Sequence, residues 1–398
     1  MANGGKDSHS TPQFPTHNAP RVWLLTSGDS PVGITLARQV LNHGDYVVSG
    51  IIPAEFEKDD TRSEEFKNFL SEVGRRGGDG WKERLKIVAL DIRMMGQCQA
   101  AVAEAVYAYG RVDILFCCTS QAIVGTVEEL AISNRTQTLV RDQFETNFFG
   151  PMNIIKSTLP NMREQKIGHI IVLGGITGHL GTPGLGMYCA ATWALEGFCD
   201  SIAYEIAPFN IKMTILQASI EIGILLNRIT SAPPHLAYAP DANNAPLFRG
   251  ILDGLLNRLP GIRAQYVAQN QDPYSPKSDS ERMGGPNILS QTKVVSLYPP
   301  LSQAHSEKLL AETVHALTAI GGHENPPTRH IVGVEGVASV KEKLKTVSEE
   351  LEDFVEASYA VDVPSDSHGN SKMEIVDGDD DGPVDFGSHD AEDRHSHL

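Results

Sequence analysis

The chain has 398 residues, a formal net charge of −17 and 41% apolar residues. This length is enough for two or three average domains, or for one large α/β domain with flexible ends. No stretch approaches the roughly 20 consecutive apolar residues of a membrane-spanning helix, so no transmembrane segment is expected.

The two ends differ in composition from the rest of the chain. Residues 1–20 are rich in Gly, Ser, Pro and Asn and lack the regions of a secretory signal, which predicts a disordered leader. Residues 359–398 are predicted to be an acidic disordered tail, because residues 361–398 hold eleven acidic and two basic side chains. This excess of negative charge repels phosphate, so nucleic acid is not expected as a partner.

Cysteine and histidine usage gives no sign of a metal site or a disulfide framework. The five cysteines form an odd set without CxxC spacing, which argues for a reducing, intracellular and cytoplasmic location. The histidines of the tail are interpreted as solvated, and no metal is predicted. These cysteines are Cys98, Cys117, Cys118, Cys189 and Cys199, and these histidines are His368, His389, His395 and His397.

Between residue 21 and about residue 230, short apolar runs alternate with segments long enough for helices. Strands that are buried on both faces and joined by helices predict an α/β fold with a doubly wound parallel sheet. Helices are predicted over 33–43, 142–165 and 188–207. The apolar runs are VWLLTS, YVVSGII, KIVALDI, VDILFCC, HIIVLGG and IKMTILQ.

The region that follows is less regular. Residues 231–300 carry most of the Pro, Asn, Gln and Ser of the second half, so they are interpreted as an insertion or substrate loop. Order is predicted to return with the helix SEKLLAETVHALTAI, the strand RHIVGVEG and the helix VKEKLKTVSEELEDFVEA. We therefore expect a single domain over residues 21–358.

Several landmarks then follow one another in a familiar order. LLTSGDSPVG is a strand that runs into a helix, where doubly wound folds bind dinucleotides. LDI, VDIL, FETNFFGPMNIIKSTLPNMR and GHIIVLGGITGHLGTPGLGMYCAATWALEGF come after it. In this order the chain resembles the classical short-chain dehydrogenase/reductase family over residues 21 to about 222. The resemblance implies a Rossmann-type fold, an NAD(P) cofactor and oxidoreductase chemistry.

The cofactor-binding turn departs from the pattern of that family. Its TGxxxGxG motif, aligned on Thr26, places Ser27, Pro31 and Gly33 at the three glycine positions, and only Gly33 is kept. Pro31 has no N–H and adds bulk where the pyrophosphate approaches, and the Asp29 carboxylate would repel a phosphate. The alternative is a helix capped by Asp29 or Ser30, with Pro31 at its first position and no ligand.

Two other cofactor positions give mixed signals. Asp91 matches the family position that faces the adenine, and an aspartate there is also an ordinary turn residue. Residues 117–120 read CCTS where the family has NNAG, which removes side chains that shape the cofactor floor. The second strand ends in SGIIPAEFE, which favours neither NAD nor NADP.

The catalytic set of the family is incomplete. Asn147 and Tyr188 stand at their expected positions, but the serine position is Gly175 and the lysine position is Thr192. A free phenol has a pKa of about 10, so Tyr188 would need a neighbouring cation to ionise at neutral pH. Losing a hydrogen-bond donor to the reacting oxygen costs about 3 kcal/mol.

Three interpretations remain open at this point. The first is a protein with a degraded catalytic set that works as a scaffold or binding protein. The second is an active NAD(P)-dependent oxidoreductase of a carbonyl or hydroxyl substrate, in which Thr177 or His179 replaces the serine. The third is a non-redox enzyme that uses Tyr188 as a neutral donor. By the resemblance, the helices that carry Asn147 and Tyr188 also suggest a homodimer or heterodimer.

Overall fold

A computed structural model describes residues 13–58, 60–238, 293–299, 303–353 and 355–358 of the chain. By its internal contacts, the chain divides into two units, Met1–Val347 and Ser348–Leu398. The acidic tail, residues 1–12 of the leader and residues 239–292 of the predicted insertion lie outside the described residues. Among the described residues, none of the helices combines the length and apolar character needed to cross a bilayer.

A seven-stranded sheet is the centre of the first unit. All of its pairings are parallel, and its strand order is β10-β7-β6-β4-β1-β2-β3. The predicted Rossmann-type doubly wound fold is therefore confirmed. The strands are β1 (Val22–Leu25), β2 (Tyr46–Ile51), β3 (Leu85–Ala89), β4 (Ile114–Cys117), β6 (Gly168–Gly175), β7 (Ile211–Ala218) and β10 (Arg329–Ile331).

Helices cover both faces of this sheet. A cluster with Trp23 and Phe66 fills the space on one face, and a second cluster with Leu24 and Ile154 fills the other. Because side chains alternate along a strand, adjacent residues such as Trp23 and Leu24 enter opposite clusters. The helices are α1 (Pro31–His43), α2 (Pro53–Phe56), α3 (Thr61–Arg75), α4 (Trp81–Arg84), α5 (Met95–Tyr109), α6 (Val127–Ala131), α7 (Asn134–Phe144), α8 (Gly150–Gln165), α9 (Gly186–Ile206), α10 (Ile220–Leu225), α11 (Gln303–Ile320), α12 (Val334–Asp353) and α13 (Val355–Ser358).

Helix boundaries follow local signals that the sequence carries. α1 begins two residues before the predicted start, because Pro31 occupies its first turn and Ser30 caps it. The helix predicted over 142–165 extends further back, since α7 and α8 are joined by a π-helical turn, Glu145–Phe149.

A second, three-stranded sheet lies among the described residues and was not predicted. It consists of β5 (Gln121–Val124), β8 (Arg228–Ser231) and β9 (Val295–Leu297), in the order β5-β8-β9. β5 and β8 are parallel, and β9 is antiparallel to β8. Such short runs carry little periodicity, and β9 is far along the chain from its partner β8, so a local pattern does not predict it.

Candidate functional site

The candidate site lies where β1 and β4 end and the chain turns toward α1. The Thr26 hydroxyl oxygen accepts hydrogen bonds from the backbone N–H groups of Cys118 at 2.9 Å and Thr119 at 3.2 Å. The Thr119 hydroxyl also donates to it over 2.9 Å. Thr26 therefore ties the turn after β1 to the segment that stands in place of NNAG.

The turn itself forms a well-capped helix start. The Ser30 hydroxyl donates to the Ser27 carbonyl at 2.6 Å and accepts from the Gly33 N–H at 3.0 Å. A Cβ at Gly33 would lie 2.3 Å from the Ser27 carbonyl oxygen, so only glycine fits. Gly33 thus has a packing role here, and the predicted cap is Ser30 rather than Asp29.

Asp29 is held by Arg62, a partner that was not predicted from the sequence. Arg62 Nε donates to Asp29 Oδ2 at 2.9 Å, and Arg62 Nη2 donates to Asp29 Oδ1 at 3.0 Å and to Ser27 Oγ at 2.6 Å. The Tyr298 ring lies 5.1 Å from the Arg62 guanidinium. Burial acts to lower the pKa of Arg62, but the charge and hydrogen bonds of Asp29 together with Tyr298 and Cys118 leave the pKa raised. The carboxylate expected to repel a phosphate is therefore neutralised within the chain.

A second ion pair bridges the cleft beside the first. Arg228 Nη1 lies 3.2 Å from Glu55 Oε1, and Arg228 Nη2 donates to Gln121 Oε1 at 2.8 Å. Arg228 belongs to β8, so the second sheet positions this cation. The pair joins the second sheet to the segment after β2, where the nucleoside end of a dinucleotide would lie.

Asp91, predicted to face an adenine, has another partner. Arg93 donates to both of its carboxylate oxygens, at 2.8 and 2.6 Å. Burial acts to raise the pKa of Asp91, and the hydrogen bonds from Arg93 outweigh it, so the pKa lies below its usual value. Asp91 is an ionised, ion-paired side chain at the edge of the cleft.

The space that remains among these side chains is small. The cavity that contains Thr26, Ser27 and Asp91 measures about 60 Å³. Small-molecule pockets usually measure about 300–1000 Å³. The side chains of Arg62, Glu55, Arg228 and Tyr298 also line this cavity. In this arrangement the residues present do not fit a dinucleotide, although the family resemblance implies NAD(P).

Tyr188 lies outside this cavity, at the start of α9. It is only 5% exposed, and a Cβ at Gly223 of α10 would lie 2.4 Å from its hydroxyl oxygen. Burial raises the pKa of Tyr188, while a hydrogen bond with Ser120 acts in the opposite direction. The phenol is therefore neutral and packed against the backbone of α10.

Thr192 and Gly175 stand at the lysine and serine positions of the family. The Thr192 hydroxyl donates to the Tyr188 carbonyl at 3.0 Å, so it serves the helix. A Cβ at Gly175 would lie 3.2 Å from Thr177 Oγ1, and that buried hydroxyl has no partner in the described part of the chain. His179 is already engaged, with Nε2 3.1 Å from Gln217 Oε1. Of the two suggested substitutes, only Thr177 lies beside the serine position.

Asn147 has a structural partner. It lies in the π-helical turn, and its side chain accepts from the Gln121 N–H at 3.0 Å and donates to the Gln121 carbonyl at 2.8 Å. These two bonds fix the start of β5 against the helix. The catalytic roles predicted for Asn147 and Tyr188 stay predictions.

The structure thus brings together some predicted residues and adds others. Thr26, Ser27 and Asp91 line one cavity, whereas Gly33, Asn147 and Tyr188 do not. Arg62 and Arg228 were missed because each lies far along the chain from its partner, whereas Arg93 lies two residues after Asp91. One signal was available, since a buried Asp29 requires a cation. The missed residues are Glu55, Arg62, Arg93, Arg228 and Tyr298.

Comparison with known proteins agrees with this fold and these landmarks. Oxidoreductase BOA17 of Botryotinia fuckeliana is 30% identical over 197 residues, which is 50% of this chain and 64% of that protein. Retinol dehydrogenase 8 of Bos taurus is 25% identical over 243 residues, 56% of this chain and 70% of the relative. The match therefore spans less than two thirds of the first of these proteins.

A solved structure and a family model extend the comparison. A short-chain dehydrogenase from Streptomyces avermitilis superposes with a TM-score of 0.59 and 22% identity, over 86% of this chain and all of that one. At that identity the likeness shows the fold alone. The model of the short chain dehydrogenase family matches residues 21–221, half of the sequence. The chain therefore belongs to the short chain dehydrogenase family.

Proposed function

We propose that this chain is a family member that does not transfer hydride efficiently and acts as a scaffold or binding protein. The observation that carries the proposal is the setting of Tyr188. Burial, Ser120 and Cys189 are the influences on its pKa, with no lysine or arginine among them. A phenol with a raised pKa is a poor general base at neutral pH.

The filled cleft supports the same proposal. The Arg62–Asp29 and Arg228–Glu55 pairs are satisfied within the chain, and the cavity between them is about 60 Å³. A dinucleotide would have to displace two ion pairs and the Tyr298 ring. Leaving the nearly buried charges of Arg62 and Asp29 without partners opposes that displacement.

A titration with NADH and NADPH tests the proposal, with nicotinamide fluorescence and thermal unfolding followed on the same protein. A ligand that binds only the folded state stabilises it by about 2.7 kcal/mol at a hundredfold excess over its Kd. We expect neither signal to change at millimolar cofactor. Saturable binding of either cofactor would show that the cleft accepts a dinucleotide and would overturn the proposal.

One observation favours the second candidate, an active NAD(P)-dependent oxidoreductase of a carbonyl or hydroxyl compound. Thr177 Oγ1 is buried without a partner in the described chain and lies 3.2 Å from the Cβ site of Gly175. A hydroxyl there could donate to a reacting oxygen. This candidate function requires Arg62 and Tyr298 to move away from the turn between β1 and α1. The cofactor titration distinguishes it from the scaffold or binding protein.

We also propose that the chain forms a homodimer or heterodimer through the helical segment that carries Asn147 and through α9, which carries Tyr188. Phe149, Trp193 and Tyr204 are large apolar side chains that these segments expose, and such exposed groups favour association. Sedimentation of the wild type and of Tyr204→Arg tests this, with a shift toward monomer expected for the variant. We place the protein inside the cell, because all five cysteines are free and buried.

A further inference from the structure

Two histidines and an aspartate meet at the amino-terminal edge of the main sheet, opposite the candidate site. His17 precedes β1, His43 ends α1 and Asp45 precedes β2. His17 Nε2 lies 2.9 Å from His43 Nε2 and 3.5 Å from Asp45 Oδ1. All three donor atoms lie within 4.8 Å of one another. Sequence spacing did not point to this cluster, because 26 positions separate the histidines.

Each of the three side chains is held by a second contact. His17 Nδ1 lies 2.6 Å from the Ala19 carbonyl oxygen. A carbonyl only accepts, so Nδ1 carries a proton, and in the neutral ring the lone pair of Nε2 faces the cluster. There it accepts the Nε2–H of His43 at 2.9 Å, a proton that a bound metal ion would displace. Metal-binding histidines are commonly fixed in this way by a bond from the other ring nitrogen.

The other two ligands are equally constrained. The His43 ring stacks on Phe14 with centroids 4.1 Å apart. Asp45 is buried, with Oδ1 accepting from the Arg21 N–H at 2.9 Å and Oδ2 from Trp23 Nε1 at 3.2 Å. Each carboxylate oxygen keeps a second lone pair for another partner. The donor set is therefore oriented before any ion binds.

We propose that His17, His43 and Asp45 bind a divalent cation of the zinc class. Tetrahedral coordination with metal–ligand distances of about 2.1 Å places ligand atoms about 3.4 Å apart. The separations of 2.9 and 3.5 Å lie close to this value, and the third, between His43 and Asp45, lies within 4.8 Å. Two imidazoles and one carboxylate suit Zn²⁺, and water completes the set on the exposed side of His43.

The bound ion would cross-link the segment 13–20 to the edge of the main sheet. His17 contributes from that segment, while His43 ends α1 and Asp45 lies just before β2. Phe14 already packs against Trp23 with ring centroids 6.4 Å apart. The site is structural and does not depend on the proposed function, because it lies at the opposite edge of the sheet from the cleft.

Titration of the full chain with Co²⁺ tests the proposal after prior treatment with a chelator. Tetrahedral Co²⁺ has visible absorption far stronger than octahedral Co²⁺, so the site is seen even if tail histidines bind weakly. We expect one equivalent of visible Co²⁺ per chain, displaced by Zn²⁺, and a Zn²⁺-dependent rise in Tm. His17→Ala and His43→Gln should each weaken this binding at least tenfold.

His235→Gln is the matched control, because it removes a histidine that lies outside the cluster and leaves the histidines of the acidic tail unchanged. It should leave the Co²⁺ spectrum and the Zn²⁺-dependent Tm unchanged. Circular dichroism verifies that the His17 and His43 variants fold. Equal Co²⁺ spectra for the wild type and both folded variants, or a wild type without visible absorption, would overturn the proposal.

Discussion

Arg62 and Asp29 form a two-point ion pair across the turn between β1 and α1, with N···O distances of 2.9 and 3.0 Å. The side chains are 12% and 10% exposed. In a doubly wound fold this turn normally receives the pyrophosphate of a dinucleotide. Here the guanidinium meets a carboxylate of the same chain.

Removing the cation alone is expected to destabilise the fold. Arg62→Met leaves the Asp29 carboxylate buried without a cation, with the Ser27 hydroxyl still donating to it, which costs about 3–5 kcal/mol. Asp29→Asn combined with Arg62→Met should lose less than Arg62→Met alone, because no unpaired charge remains. Urea unfolding of the two variants and the wild type measures both differences.

An exposed pair provides the control for that experiment. Arg38 lies 2.8 Å from Glu72 and is 38% exposed, so Arg38→Met should cost under about 1 kcal/mol. Similar urea midpoints for Arg62→Met and Arg38→Met would contradict the view that burial makes the Asp29 pair special.

The contact between Tyr188 and α10 predicts a rescue experiment. In Gly223→Ala, the new methyl group would lie 2.4 Å from the Tyr188 hydroxyl and 3.5 Å from the ring carbon that bears it. Overpacking of this kind costs about 1–3 kcal/mol. Adding Tyr188→Phe removes the clashing oxygen, so the double variant should recover stability in thermal unfolding.

Gly197→Ala is the control for Gly223→Ala, because it makes the same change in a helix without a steric clash. Nothing lies within 4 Å of a Cβ at Gly197 in α9, and alanine is favoured over glycine in a helix by about 1 kcal/mol. This variant should match or exceed the wild type in Tm. If Tyr188→Phe failed to improve Gly223→Ala, the packing described for the phenol would be wrong.

The main fold could be predicted from the sequence because its signals are local. β1 is a continuous apolar run, β7 is mostly apolar, and Ser30 and Pro31 mark the start of α1. The filling of the cleft could not be predicted in the same way. Arg62 and Arg228 reach it from distant parts of the chain, and sequence spacing carries no information about such contacts.

The proposed loss of efficient hydride transfer predicts the outcome of a repair experiment. Gly175→Ser combined with Thr192→Lys restores the family residues, but the Arg62–Asp29 pair and Pro31 still oppose a dinucleotide. We expect no reduction of a panel of aldehydes and ketones by NADH or NADPH. Measurable turnover that disappears on adding Tyr188→Phe would show that the cleft admits the cofactor. It would then favour the active oxidoreductase over the scaffold or binding protein.

A buried histidine in β6 predicts how stability depends on pH. His169 Nδ1 accepts from the Gly322 N–H at 3.0 Å, and Nε2 lies 2.9 Å from the Thr214 hydroxyl. The ring is therefore bonded as a neutral imidazole. Burial lowers the pKa of His169 to about 3, whereas an unfolded histidine has a pKa of about 6.5.

Between these two pKa values the unfolded chain binds a proton that the folded chain does not. The free energy of unfolding should then fall as the pH drops from about 6.5 toward 3, by about 1 kcal/mol per pH unit from this residue. Urea unfolding from pH 7.5 to pH 4.5 measures the slope. His169→Gln should be less stable at pH 7.5 but show a shallower slope, while the control His235→Gln should keep the slope of the wild type. Parallel slopes for His169→Gln and the wild type would show that another group causes the acid sensitivity.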